Sequence, residues 1–262
     1  MDLVLMDCVK DLLRRVEELT GKEVRPVMKD GLPVPARMVL GDPADPFLNL
    51  LYLREPGEEI HFAVAVACGH ILRIYEAPRK ERFIPVATRR SMAQFLWECE
   101  EELNRLSHFF GREEMMRLIP LWYESAIYQL TTMPPEIMIH KRLFDHCPEL
   151  RSHQLKSLER QRRDALRALS PEVRKITPAR IYHAANIMNY VFFKLLEDHF
   201  HLDFVAAYHR TVFIFEGGTL ASLSKRIGED NHQGDRAMID LWSTRLDLAN
   251  WYEWRPLHDD PS

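Results

Sequence analysis

The 262-residue sequence lacks the short motifs that mark common nucleotide-binding and hydrolytic sites. It contains no G-x-G-x-x-G, no P-loop and no G-x-S-x-G, so nucleotide binding and serine hydrolysis are without their usual signatures. Its four cysteines are scattered, with no C-x-x-C pair. This cysteine usage is typical of a reduced, intracellular protein.

Long apolar runs and an excess of positive charge are also missing. The longest apolar run, F-A-V-A-V-A-C-G at 62–69, is too short to span a bilayer. The N-terminal M-D-L-V-L-M-D-C has no basic region, so we do not expect a signal peptide. The formal charge of −4 and pI of about 6.3 provide no general attraction to nucleic acid or anionic membrane. We therefore expect a cytoplasmic protein that binds neither.

The first third of the chain has mixed periodicity. Residues 2–20 place apolar side chains three and four positions apart, which predicts an amphipathic helix. Three short apolar runs separated by Gly and Pro follow at 24–28, 36–40 and 47–53, and they predict three strands. The segment from 57 to about 77 is apolar on every face at its centre, which predicts a buried helix.

The chain from residue 88 onward is predicted to be almost entirely helical. We expect Pro120 to kink or break one helix, and Pro134-Pro135 to end it and begin the next. Further helices are predicted from about 149, over 178–200 and 202–227, and after a loop at 229–235. The predicted fold class is α+β: a small three-stranded sheet packed on a buried helix, followed by a large all-helical C-terminal part.

The buried helix contains the stretch A-V-A-C-G-H-I-L-R at 65–73. This stretch resembles the H-E-x-G-H helix of gluzincin-type zinc metallopeptidases, most of all the compact ImmA/IrrE-like group. The preceding order of one helix and three short strands is similar as well. The segments 122–140, 148–158 and 234–254 resemble the C-terminal helical part of larger members. The resemblance implies a zincin-like domain over 1–130 and a helical domain over 131–262, which can also pack as one unit.

The motif positions have lost the residues that perform zinc chemistry. A zinc-peptidase helix needs two imidazoles four residues apart and a Glu that acts as general base on the metal-bound water. Here Val66 cannot bind metal and Ala67 cannot accept a proton, while Gly69 and His70 are retained. We therefore expect no cofactor and a non-catalytic protein that binds a peptide or partner protein in a regulatory or defence-type role.

Peptide binding of this kind uses an edge strand, whose free backbone groups pair with an added strand. We predict that the strand at 47–53 is this edge. Asn49, Leu51 and Leu53 would then line the groove for the partner.

Two alternatives remain open. The first is a zinc-dependent peptidase with a rebuilt metal site, in which His70 acts with a distant Glu or His. Glu124 is the favoured carboxylate because it lies within an apolar, aromatic stretch, and His140 or His183 could add an imidazole. The second is a helical scaffold that forms homo-oligomers through its C-terminal helices. The aromatic W-Y-E-W at 251–254 either docks back on the domain or covers a partner surface.

Overall fold

The computed structural model describes residues 3–32, 34–40, 45–55 and 57–257. The helices are α1 (Asp7–Thr20), α2 (Ile60–Tyr75), α3 (Arg89–Glu98), α4 (Glu100–Phe110), α5 (Arg112–His146), α6 (Arg151–Ala168), α7 (Pro171–Ile176), α8 (Ala179–Phe200), α9 (Phe213–Ser224) and α10 (His232–Arg245). The strands are β1 (Glu23–Met28), β2 (Ala36–Val39), β3 (Phe47–Tyr52), β4 (Phe83–Val86) and β5 (Glu253–Pro256). The predicted α+β class is confirmed. No helix within these ranges is both long and apolar enough to cross a membrane.

The three predicted strands form one mixed sheet in the order β1-β3-β2. β1 runs parallel to β3, and β2 runs antiparallel to it. β3 is therefore the middle strand, and the prediction that it forms the edge of a groove is wrong. The physical reason is burial: β3 is the most apolar of the three, with Leu48 and Leu50 fully buried. Asn49, Leu51 and Leu53 lie beside β2 and present no free backbone edge.

α2 forms the centre of the N-terminal half, where α1 and β2 pack against it. It also approaches α5 closely at Gly69. A Cβ atom at this position would lie 2.6 Å from Cγ2 of Ile139, so a larger side chain would require Ile139 or the helix that carries it to shift. Glycine at position 69 thus permits the close packing of α2 against α5.

α5 is a single helix of 35 residues, which contradicts the breaks predicted at its prolines. A proline inside a helix costs about 3 kcal/mol because it removes one backbone hydrogen bond and crowds the preceding turn. Tertiary packing offsets this cost here, since Pro134 and Pro135 are both buried. The boundary proposed between 1–130 and 131–262 falls inside this continuous helix, at the fully buried Leu130.

Two hydrophobic clusters share α5. One comprises α1, the sheet, α2 and the C-terminal end of α5. The other comprises α3, α4, much of α5, α6, α8, α9 and α10, with the segment after α10. α5 therefore joins the two halves, and its apolar residues enter both clusters.

Several local predictions need correction. β4 and β5 pair antiparallel across about 170 residues, a contact that no local pattern reveals. The segment 88–110 forms two helices that meet at Cys99. The helix predicted over 202–227 begins only at Phe213 and continues through Gly217 and Gly218 to Ser224. α10 begins within the predicted loop, because the side chain of Asn231 caps it by accepting from the N–H of Gly234.

Candidate functional site

A cleft of about 760 Å³ lies between β2 and the helices α2, α5, α6 and α8. Three of the four motif positions line it: Val66, Ala67 and His70. Val66 and His70 are four residues apart on α2, so both present their side chains to the same side of the helix. Gly69 instead faces Ile139, as described above.

His70 pairs with a carboxylate that the sequence did not single out. Its Nε2 atom lies 3.3 Å from Oε1 of Glu136, which projects from α5. Glu124, the carboxylate predicted for this role, is exposed on the same helix and does not line the cleft. The spacing of Glu136 and His140, four residues apart in an otherwise apolar stretch, is the sequence signal that could have found the correct carboxylate.

The two candidate histidines have different environments. His140 is fully buried and lines the cleft. His183 lies elsewhere, at the surface, where its Nε2 is 2.7 Å from Oε2 of Glu216. Of the two histidines, only His140 lines the cleft and can contact a ligand bound there.

The donor set around His70 does not fit a catalytic zinc site of the type that the sequence resembles. Such a site needs three protein ligands and a carboxylate that activates water. His70 and Glu136 supply two donors, while Val66 and Ala67 supply none. Among the described residues, no group of three or more His, Cys, Asp or Glu side chains is placed to hold one metal ion.

β2 is an edge strand, and its free side borders the cleft. The N–H of Leu53 donates to the carbonyl of Pro35 at 3.1 Å, so the odd-numbered residues here face β3. Because an antiparallel ladder alternates, Ala36 and Met38 direct their N–H and C=O groups away from β3. In the part of the chain that the structure describes, no strand pairs with these groups.

Two further residues add polar groups to the lining of the cleft. Glu59, the residue that precedes α2, forms an ion pair with Arg160 of α6. Desolvation and the nearby Glu136 raise the pKa of Tyr128 on α5 to about 12, so its hydroxyl is protonated at neutral pH and can donate.

Comparison of the chain with family models, curated proteins and solved structures found no match.

Proposed function

We propose that this protein is a non-catalytic, metallopeptidase-like protein that binds an extended segment of a peptide or partner protein along β2. The supporting observation is that the open edge of β2 runs beside the cleft that contains Val66, Ala67 and His70. A peptide added as a further strand would satisfy the outward-facing backbone groups of Ala36 and Met38. The regulatory or defence-type role belongs to the same proposal and rests on the resemblance to ImmA/IrrE-like proteins.

The size and chemistry of the cleft support binding without cleavage. Its volume lies within the range of roughly 300–1,000 Å³ that is common for small-ligand sites. Apolar side chains at positions 66 and 67 replace the zinc ligand and the general base. A peptide held beside α2 would therefore be retained intact.

Peptide binding is tested by selecting random decapeptides on the immobilised full-length chain and measuring the dissociation constants of the enriched sequences. Met38→Pro removes one outward-facing N–H and leaves the ladder to β3 in place. We expect it to weaken binding about tenfold, equivalent to about 1.4 kcal/mol, because one backbone hydrogen bond is lost and the ring obstructs the edge. Met38→Leu keeps the N–H and should bind within about twofold of the parent chain. Failure to enrich any peptide, or unchanged binding by folded Met38→Pro, contradicts the proposal.

The zincin-like geometry makes a separate prediction about metal binding. In Val66→His, the new imidazole, His70 and Glu136 would supply three ligands from α2 and α5. We expect this variant to bind one equivalent of Zn²⁺ at least about tenfold more tightly than the parent chain, measured by isothermal titration calorimetry.

The control for the metal prediction is Val66→His combined with Glu136→Gln, which should lose most of the gain. If folded Val66→His binds zinc no better than the parent chain, α2 and α5 do not have the proposed arrangement.

Homo-oligomerisation through the C-terminal helices also remains a proposal. Val212 and Phe215, three positions apart in the sequence at the start of α9, are largely exposed and support it. The W-Y-E-W segment does not, because Trp251 and Tyr252 are buried within the same chain.

A further inference from the structure

Three polar side chains from three different helices line the deep part of the cleft. They are His140 of α5, Ser157 of α6 and Asn189 of α8, and each is at least nine-tenths buried. Polar groups at such depth are normally hydrogen-bonded, because leaving one unsatisfied costs about 1–3 kcal/mol. The groups with which these three side chains can bond therefore indicate what the cleft accepts.

The hydrogen-bond pattern defines the state of His140. Nε2 of Gln154 donates to the carbonyl oxygen of His140 at 2.8 Å and lies 3.3 Å from its Nδ1. An amide nitrogen is only a donor, so Nδ1 accepts and the ring proton is on Nε2. Burial lowers the pKa of His140 to about 4, which keeps the ring neutral at pH 7. Within the described residues, the Nε2–H group has no acceptor.

Ser157 and Asn189 lie one helical turn from residues that contact His140. Ser157 follows Gln154 by three positions on α6, and Asn189 precedes Phe192 by three positions on α8. The ring of Phe192 packs edge-on against His140, with 5.5 Å between ring centroids. Residues three apart share a helix face, so both polar side chains point toward the region around His140. Neither has a side-chain hydrogen bond to another described residue, which leaves both available to a ligand.

We infer that His140, Ser157 and Asn189 form a subsite for a carboxamide group, such as the side chain of Asn or Gln in a bound peptide. The carboxamide oxygen would accept from Nε2–H of His140, and its NH₂ group would donate to the side-chain oxygens of Ser157 and Asn189. The peptide context rests on the proposed function, whereas the carboxamide chemistry rests on these three residues alone.

Other ligand groups fit this environment less well. A carboxylate or ammonium group would be buried among three neutral side chains without a counter-ion, which is strongly unfavourable. The charged residues of the cleft on either side of these three are already engaged: Glu136 contacts His70, and Arg160, one turn from Ser157 on α6, is paired with Glu59. An apolar group would leave the donor of His140 and the two oxygens unsatisfied. A neutral group that both donates and accepts satisfies all three.

The subsite is tested with propionamide and the full-length chain, by following the ring resonances of His140 in NMR spectra. We expect a saturable shift with a dissociation constant on the order of millimolar, as is usual for a ligand of so few atoms. Propionate has the same shape but a charge, and 2-butanone has the carbonyl but no N–H. Both should bind at least about tenfold more weakly than propionamide.

Variants identify the residues responsible. Asn189→Leu should remove the response to propionamide, and Ser157→Ala, the milder change if Asn189→Leu does not fold, should weaken it several-fold. Gln129→Leu is the matched control, because Gln129 lines the same cleft about 16 Å from His140 along α5 and should not affect binding. Absence of a saturable shift would mean that only water occupies this region, and an equal response to propionate would mean that the amide N–H is not recognised; either result overturns the inference.

The peptide selection separates this inference from the proposed function. A requirement for Asn or Gln at one position, lost in Asn189→Leu, supports both. Peptides that bind along β2 without that requirement, together with no response to propionamide, contradict the subsite alone. A response to propionamide without any peptide binding contradicts the proposed function and leaves the subsite intact.

Discussion

Replacing Arg73 with methionine is expected to lower the free energy of unfolding by about 3–5 kcal/mol. The Arg73 side chain is only 2% exposed, and it donates from Nε and Nη2 to the two carboxylate oxygens of Asp235 at 2.6 and 2.7 Å. Its Nη1 also donates to Asp230 at 2.6 Å. The loss is large because methionine would leave the buried carboxylate of Asp235 without a partner. Urea unfolding followed by circular dichroism measures the effect.

The matched control is Arg117→Met, which breaks an ion pair with Glu114 on the exposed side of α5. Exposed pairs contribute about 0–1 kcal/mol, so this variant should remain near the parent stability. Combining Arg73→Met with Asp235→Leu should recover much of the loss, because no buried charge is left unpaired. A loss below about 1 kcal/mol for Arg73→Met alone would show that Asp235 does not depend on it.

The same variant should change the acid sensitivity of the protein. Burial alone would raise the pKa of Asp230, but hydrogen bonds from Arg73 and Arg142 outweigh it and hold the pKa below its ordinary value. A lowered pKa contributes stability that is present at neutral pH and is lost as the pH falls through the folded-state pKa. Arg73→Met should therefore show a smaller difference in unfolding free energy between neutral and strongly acidic pH.

Replacing Trp251 with alanine is expected to cost about 3–5 kcal/mol of stability. The side chain is fully buried beyond the end of α10, with its ring 4.9 Å from that of Phe95 between centroids. Its Nε1–H donates to Glu98 at 2.8 Å, and its carbonyl oxygen accepts from the Tyr123 hydroxyl at 2.8 Å. Alanine would leave a cavity and remove a donor from a carboxylate that is largely buried.

Trp97→Ala is the control for Trp251→Ala, because Trp97 is 71% exposed on the neighbouring α3. It should change the unfolding free energy by no more than about 0.5 kcal/mol. Both variants can be compared by their urea midpoints at unchanged m-value. Equal stability of the two variants would contradict the placement of Trp251 in the core. Because Trp251 lies in the core, deleting the residues from 245 onward would remove part of the core together with any contact that this segment makes with another subunit.

Local patterns were sufficient for the elements that depend on local physics. The alternation of apolar runs with Gly and Pro predicted three strands close to their observed bounds, and the apolar segment around 57–77 predicted the buried α2. The residue types at positions 66 and 67, Val and Ala, showed that these positions cannot bind zinc or transfer a proton. These conclusions follow from side-chain chemistry and backbone preference, which depend on the residues themselves.

Tertiary contacts decided which strand has a free edge and which carboxylate meets His70. The sequence favoured β3 and Glu124, whereas long-range packing places β2 at the edge and Glu136 in the cleft. The buried packing of Pro134 and Pro135 keeps α5 continuous, and that continuity brings Glu136 and His140 beside α2. By itself the sequence determined what α2 cannot do chemically. The pairing of distant segments determined which strand keeps a free edge and which side chains line the cleft, because strand order and helix packing depend on contacts that no local pattern encodes.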